Sequence, residues 1–146
     1  MLDTKITDDS QYKKVISEAF VDSIKSILKS GRRVILIYPI PEVGWDVPMR
    51  LVKSYLYINN RQKIKPEDAS TLFSRFLDRN KDAYDALDAI GEDKNLIRIK
   101  PEHIFCNSYI KGRCITHIDA KPLYFDDNHL SNDGADMVVR EIMKHL

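Results

Sequence analysis

Asp126 and His129 are the residues in this sequence best placed to do chemistry. They lie three apart in the polar run Tyr124-Phe125-Asp126-Asp127-Asn128-His129-Leu130-Ser131-Asn132-Asp133-Gly134-Ala135. A carboxylate that fixes one nitrogen of an imidazole leaves the other free to take a proton. That is the orienter-and-base pair of nucleophilic acyl transfer. An unperturbed imidazole pKa of ~6.5 suits the role near neutral pH. The pair needs a hydroxyl to act on, and no serine sits where such a nucleophile belongs. No Gly-x-Ser-x-Gly elbow occurs. Asp127 is a rival carboxylate, but it stands only two residues from His129. A metal site joining His117 and Asp119 to His129 has no further ligand pattern behind it, so neither metal nor cofactor is expected.

The elements around this pair follow from the apolar spacing. Ser131 is a good N-cap, and Asp133 falls in the first turn, where the helix dipole favours negative charge. Ala135, Val138, Val139, Ile142, Met143 and Leu146 then form a predicted core stripe, with Arg140, Lys144 and His145 toward the C-terminal end. Upstream, residues from about Asp9 to Lys29 read as a helix with Val15, Ile16, Ala19, Phe20, Ile24, Ile27 and Leu28 on one face, stopped by Gly31. Val34-Ile35-Leu36-Ile37-Tyr38 is a continuous apolar run, as expected for an interior parallel strand buried on both faces, and Pro39 and Pro41 end it.

A short helix is predicted from Met49 to about Tyr57, with Leu51, Val52, Tyr55 and Leu56 inward. Pro66 and Asp68 open a longer helical region carrying Leu72, Phe73, Phe76, Leu77, Tyr84, Leu87 and Ile90 as core, broken near Asp78–Lys81 and stopped at Gly91. Leu96-Ile97-Arg98-Ile99 reads as a second strand and Leu123-Tyr124-Phe125 as a short extended segment. Alternating helices and apolar strands predict an α/β chain with a parallel sheet, whose ligands bind beyond the carboxyl ends of the strands. The loop after the first strand supplies Pro41, Glu42 and Trp45 as candidate substrate contacts at that edge. Trp45 offers a stacking face for a sugar ring, against the commoner role of packing on the core. The Tyr55–Tyr57 and Lys63–Lys65 stretches could contact anionic glycan, although a solvated face explains them as well. Two convincing strands make a thin sheet for so many helices, so further strands are expected to precede Met1 in an intact protein.

Composition narrows the classes. At 146 residues the length suits one domain, and 43% apolar with 31% charged residues is ordinary for a globular chain. With 23 Lys+Arg against 22 Asp+Glu there is no basic surplus to bind nucleic acid. No apolar run approaches the ~20 residues of a membrane span, and the start does not read as a signal peptide. Delivery outside the cytoplasm would therefore depend on a segment this chain lacks. Cys106 and Cys114 are the two cysteines. Their spacing fits either a disulfide in an oxidising compartment or two free thiols, and zinc is disfavoured for want of a second pair.

Together these residues resemble a known family. Asp126-x-x-His129-Leu130-Ser131-x-x-Gly134-Ala135 is similar to the last block of the SGNH/GDSL hydrolases. The strand running into Pro39-x-Pro41-Glu42-x-Gly44, and the cysteine pair ahead of Leu123-Tyr124, narrow the resemblance to the SGNH domain of membrane acyltransferase-3 proteins, which O-acetylate cell-surface polysaccharide. It covers roughly Tyr12 to the C-terminus. The resemblance implies a flavodoxin-like three-layer α/β/α fold and a Ser-His-Asp triad, with His129 as general base and Asp126 as its orienter. It also implies an envelope polysaccharide or acyl-ester substrate, an attached membrane acyltransferase region, and the periplasmic side of the bacterial inner membrane. The family's Gly-Asp-Ser block and the blocks that complete the oxyanion hole are absent. On that basis residues 1–146 form a single partial SGNH domain, expected to be inactive alone. Two other readings stay open, a non-catalytic carbohydrate-binding or scaffold module and a stand-alone esterase.

Overall fold

The computed structural model describes residues 9–57 and 66–146. The chain divides into two compact units, Met1–Leu36 with Asp82–Arg98, and Ile37–Lys81 with Ile99–Leu146.

The first unit is built on helix α1 (Asp9–Lys29). It ends as expected, with Gly31 in the left-handed region at φ 80° and its N–H donating to the Leu28 carbonyl. The apolar face does not become core. Val21 and Leu28 are buried, whereas Val15, Ile16, Phe20 and Ile27 are each at least 38% exposed. An amphipathic stripe is buried only where a second apolar surface meets it. Strand β1 (Val34–Ile37) pairs with β3 (Leu96–Ile99). Val34 N–H donates to the Asn95 carbonyl and Tyr38 N–H to that of Ile99. That constant offset makes the pair parallel. Full burial of β1 on both faces was the expectation, and it fails at Ile37, which is 46% exposed while Leu36 and Tyr38 are buried.

The second unit holds most of the buried side chains. Tyr38, Val43, Val47, Phe76, Ile99, Phe105, Ile115, Leu123 and Tyr124 are each 2% exposed or less. Helix α2 (Val47–Tyr57) starts two residues before the predicted point, because Asp46 caps it and accepts the Met49 N–H at 2.7 Å. Its Leu51 is buried, but Val52 is 54% exposed and turns outward. The side chains of Tyr55–Tyr57, and all of Lys63–Lys65, lie outside the described residues.

The helical region predicted from Pro66 is three elements. A 3-10 turn at Pro66–Ala69 leads into β2 (Thr71–Leu72), and α3 (Phe73–Asp88) follows without the expected break. Tertiary pairing overrides helix periodicity here. Thr71 and Leu72 register antiparallel with Cys114 and Arg113 in β4 (Arg113–Cys114). Buried Thr116 also hydrogen-bonds the Ala69 carbonyl. Of the stripe expected on α3, Phe76 and Ile90 are buried, while Leu72 and Leu77 face out.

A four-residue helix α4 (Glu102–Phe105) precedes a disulfide between Cys106 and Cys114. The hairpin of β5 (His117–Ile118) and β6 (Lys121–Pro122) follows, with Asp119 at φ 53° in its turn. Helix α5 (Asn132–Met143) closes the chain, capped by the Ser131 hydroxyl accepting from Gly134 N–H. Its predicted core stripe is mostly at the surface, since Val138 is buried but Val139, Met143 and Leu146 are 50–71% exposed. The result is an α/β chain with one parallel and two antiparallel strand pairs. A continuous three-layer sheet does not form among the described residues.

Candidate active site

Asp126 and His129 sit on a closed turn between β6 and α5. Tyr124 and Leu130 bridge its base, and the Phe125 N–H donates to the His129 carbonyl at 2.8 Å. Within the turn one carboxylate oxygen of Asp126 accepts two backbone N–H groups, Asn128 at 2.9 Å and His129 at 2.7 Å. This is an Asx-type turn, in which a short acidic side chain substitutes for backbone acceptors. The other oxygen lies 2.7 Å from His129 Nδ1. Those bonds, led by the Asn128 N–H, hold the Asp126 carboxyl down to about 2, from an ordinary 3.8. The carboxylate is therefore ionised at any working pH.

An ionised carboxylate can only accept, so Nδ1 carries the proton and Nε2 is left as the basic nitrogen. The His129 side chain is 76% exposed, so the ring opens to solvent. Asp127 contributes through its backbone, its carbonyl accepting the Val43 N–H at 2.9 Å. Among the described residues no serine hydroxyl hydrogen-bonds His129. Ser131, two residues on, commits its hydroxyl to the Pro122 carbonyl and the Gly134 N–H, while Ser23 bonds the Ala19 carbonyl.

A family model described as an SGNH domain (fused to AT3 domains) matches residues 2–144. The chain belongs to this family. No curated protein and no solved structure matches it. Fusion to acyltransferase-3 domains places SGNH domains of this kind in a membrane-protein context with an acyltransferase region as neighbour. Among the described residues, no helix is long and apolar enough to cross a membrane.

In this SGNH domain the loop after β1 meets the Asp126–His129 turn. Val43 N–H reaches the Asp127 carbonyl and Val47 N–H the Asp126 carbonyl at 3.2 Å. The buried Tyr124 hydroxyl donates to the Pro41 carbonyl at 2.7 Å. Pro41 is buried and anchors the loop, and Glu42 is exposed. Trp45 is half-buried with the Arg50 guanidinium 5.4 Å over its ring, and its Nε1 has no hydrogen-bond partner. His117 is buried, and its Nδ1 meets the Asp119 backbone carbonyl at 2.7 Å rather than the carboxylate.

Two residues of consequence carried no separate signal in the sequence. Tyr124 is fully buried against Phe105 at 6.2 Å between ring centroids, and burial pushes its phenol well above the ordinary range. Phe125 is 75% exposed, the most exposed large apolar residue described. Leu123 and Tyr124 are both buried, so the segment does not alternate, and it is too short for a period to declare itself.

Proposed function

We propose that this SGNH domain supplies the Asp–His part of a Ser-His-Asp site that moves acyl, chiefly acetyl, groups on cell-envelope polysaccharide. A serine carried by another segment or chain would lose its hydroxyl proton to His129 Nε2 as its oxygen attacks the ester carbonyl. The carbonyl–alkoxide bond then breaks, and the imidazolium returns that proton to the departing alkoxide. Asp126 stabilises the imidazolium and holds the tautomer without itself accepting the proton. Residues 1–146 would work as one domain of flavodoxin-like, three-layer type, on the periplasmic side of the membrane, with a membrane acyltransferase region as partner.

The observation that carries this reading is the 2.7 Å contact between His129 Nδ1 and an Asp126 carboxylate already fixed by two backbone N–H groups. Lone His–carboxylate pairs are common on protein surfaces, and the family membership is what gives this one its meaning. In the assembled protein with its nucleophile, His129→Ala should lower acyl transfer or ester hydrolysis by about 10³-fold or more. Retention of the rate within tenfold would sink the assignment. A second reading, a carbohydrate-binding or scaffold module without chemistry, draws on the absence of a serine bonded to His129. It predicts that the assembled protein is equally indifferent to His129→Ala and Asp126→Asn.

A further inference from the structure

We propose that Tyr124 is a positioning residue for the Asp126–His129 pair, its hydroxyl clamping the loop after β1 onto the turn that carries the base. The inference deepens the reading of that turn as an acyl-transfer site and rests on it. Loop and turn both belong to the second compact unit, Ile37–Lys81 with Ile99–Leu146.

Side-chain packing does not hold the pair in place. The His129 side chain is 76% exposed and that of Asp126 33%, so no core surrounds the ring. Its geometry rests on the backbone of the turn, and two of the bonds to that backbone come from outside. The Asp126 and Asp127 carbonyls accept the Val47 and Val43 amides at 3.2 and 2.9 Å. The base is therefore only as steady as the loop that donates those bonds. Burial of Pro41, Val43 and Val47 seats the loop on the core. The Tyr124 hydroxyl, donating to the Pro41 carbonyl at 2.7 Å, fixes it against the turn. Among the described residues this is the one side-chain hydrogen bond that joins residues 39–47 to residues 122–131.

Packing does not explain a tyrosine here. The ring is wholly buried, with the Phe105 ring 6.2 Å away. Phenylalanine would fill the same space without taking a hydroxyl out of water, which is unfavourable unless the group is paired. The pairing is to a carbonyl of a distant segment, so the hydroxyl serves the junction. Burial pushes the phenol well above its ordinary range, and the O–H stays a donor at any working pH. Tyr124 also bridges Leu130 across the base of the turn. One residue thus closes the turn through its backbone and anchors the loop through its side chain. Being buried, it acts on turnover only through the pair.

The test compares Tyr124→Phe, which removes the hydroxyl alone, with Thr116→Val, which removes the buried bond to the Ala69 carbonyl in the same unit. In the 146-residue chain, ¹⁵N shifts of the His129 ring should report the Nδ1–H tautomer for the wild type and for Thr116→Val. Tyr124→Phe should give a mixture of tautomers. In the assembled protein Tyr124→Phe should lower kcat by about fivefold or more while KM stays within about twofold, because a misplaced base costs rate and not binding. An unchanged tautomer, a smaller fall in kcat, or a rise in KM that accounts for the loss would each overturn the proposal. So would the same changes in Thr116→Val, which would mark a general loosening of the unit. Should Tyr124→Phe fail to fold, native-state hydrogen exchange of the wild type decides. The Val43 and Val47 amides should then open with those of Phe125 and His129, with protection within about fivefold, and a wider spread would overturn the clamp. The tautomer is read without turnover, whereas the His129→Ala assay reads turnover alone, so each reading can fail while the other stands.

Discussion

Asp126 shows how much a single carboxylate can do when the backbone surrounds it. Two N–H groups and an imidazole all favour its charged form, and its pKa drops to about 2. The sign of the resulting pH effect is fixed by linkage. A carboxyl whose folded pKa lies below its unfolded value of about 3.9 stabilises the fold fully above that value and loses the contribution as pH falls through about 2. The part of the melting-temperature difference between the wild-type chain and Asp126→Asn that belongs to this carboxyl should thus close between about pH 4 and 2. A gap that persisted unchanged at pH 2 would mean the carboxylate is not held as described. An acidic limb near pH 6 in the turnover profile would belong to another group, because Asp126 stays ionised there.

The turn owes its position to the elements on either side. Helix α5 presses its first turn against β6, and Gly134 is what lets it approach. A Cβ at that position would lie 2.2 Å from the Leu123 carbonyl oxygen, a backbone atom that cannot swing away. Alanine is the better helix former by about 1 kcal/mol, yet overpacking against backbone costs about 1–3 kcal/mol, so the clash should win. Gly134→Ala is expected to lower stability by about 1–2 kcal/mol in urea denaturation and to displace the turn, visible as a lost His129 Nδ1 hydrogen bond by NMR. A stabilised variant would contradict the packing. On the other side, the Tyr124–Pro41 bond and the Val43 and Val47 amides tie the loop to the turn. That junction brings together residues 79 to 84 positions apart.

At the scale of the whole molecule, the disulfide is the covalent tie between α4 and β4. It closes a short loop, with a sequence separation of eight. Loop-closure entropy for such a ring corresponds to about 2.5 kcal/mol of stabilisation. Reduction, or the Cys106→Ser/Cys114→Ser variant, should lower the unfolding free energy by that order, and identical denaturation curves with and without reductant would refute it. The exposed faces of α1, β1 and α5 share one origin. Their residues alternate or repeat as core residues do, but burial requires a facing surface, and among the described residues none covers them.

What the sequence determined by itself was local. The polar turn around Asp126 and His129, the Ser131 cap and the stop of α1 at Gly31 depend on neighbours within a few positions, so the sequence alone marked them. The parallel partners β1 and β3 were legible because β1 is a continuous apolar run and β3 is broken only by Arg98. Tertiary structure decided the rest. The pairing of Thr71–Leu72 with β4 broke a helical period that the sequence carries, and the anchoring of the Pro41 loop by Tyr124 leaves no periodic mark. Which apolar stripes become core is likewise invisible in the chain. Periodicity encodes the capacity to be buried, whereas burial itself depends on what packs opposite.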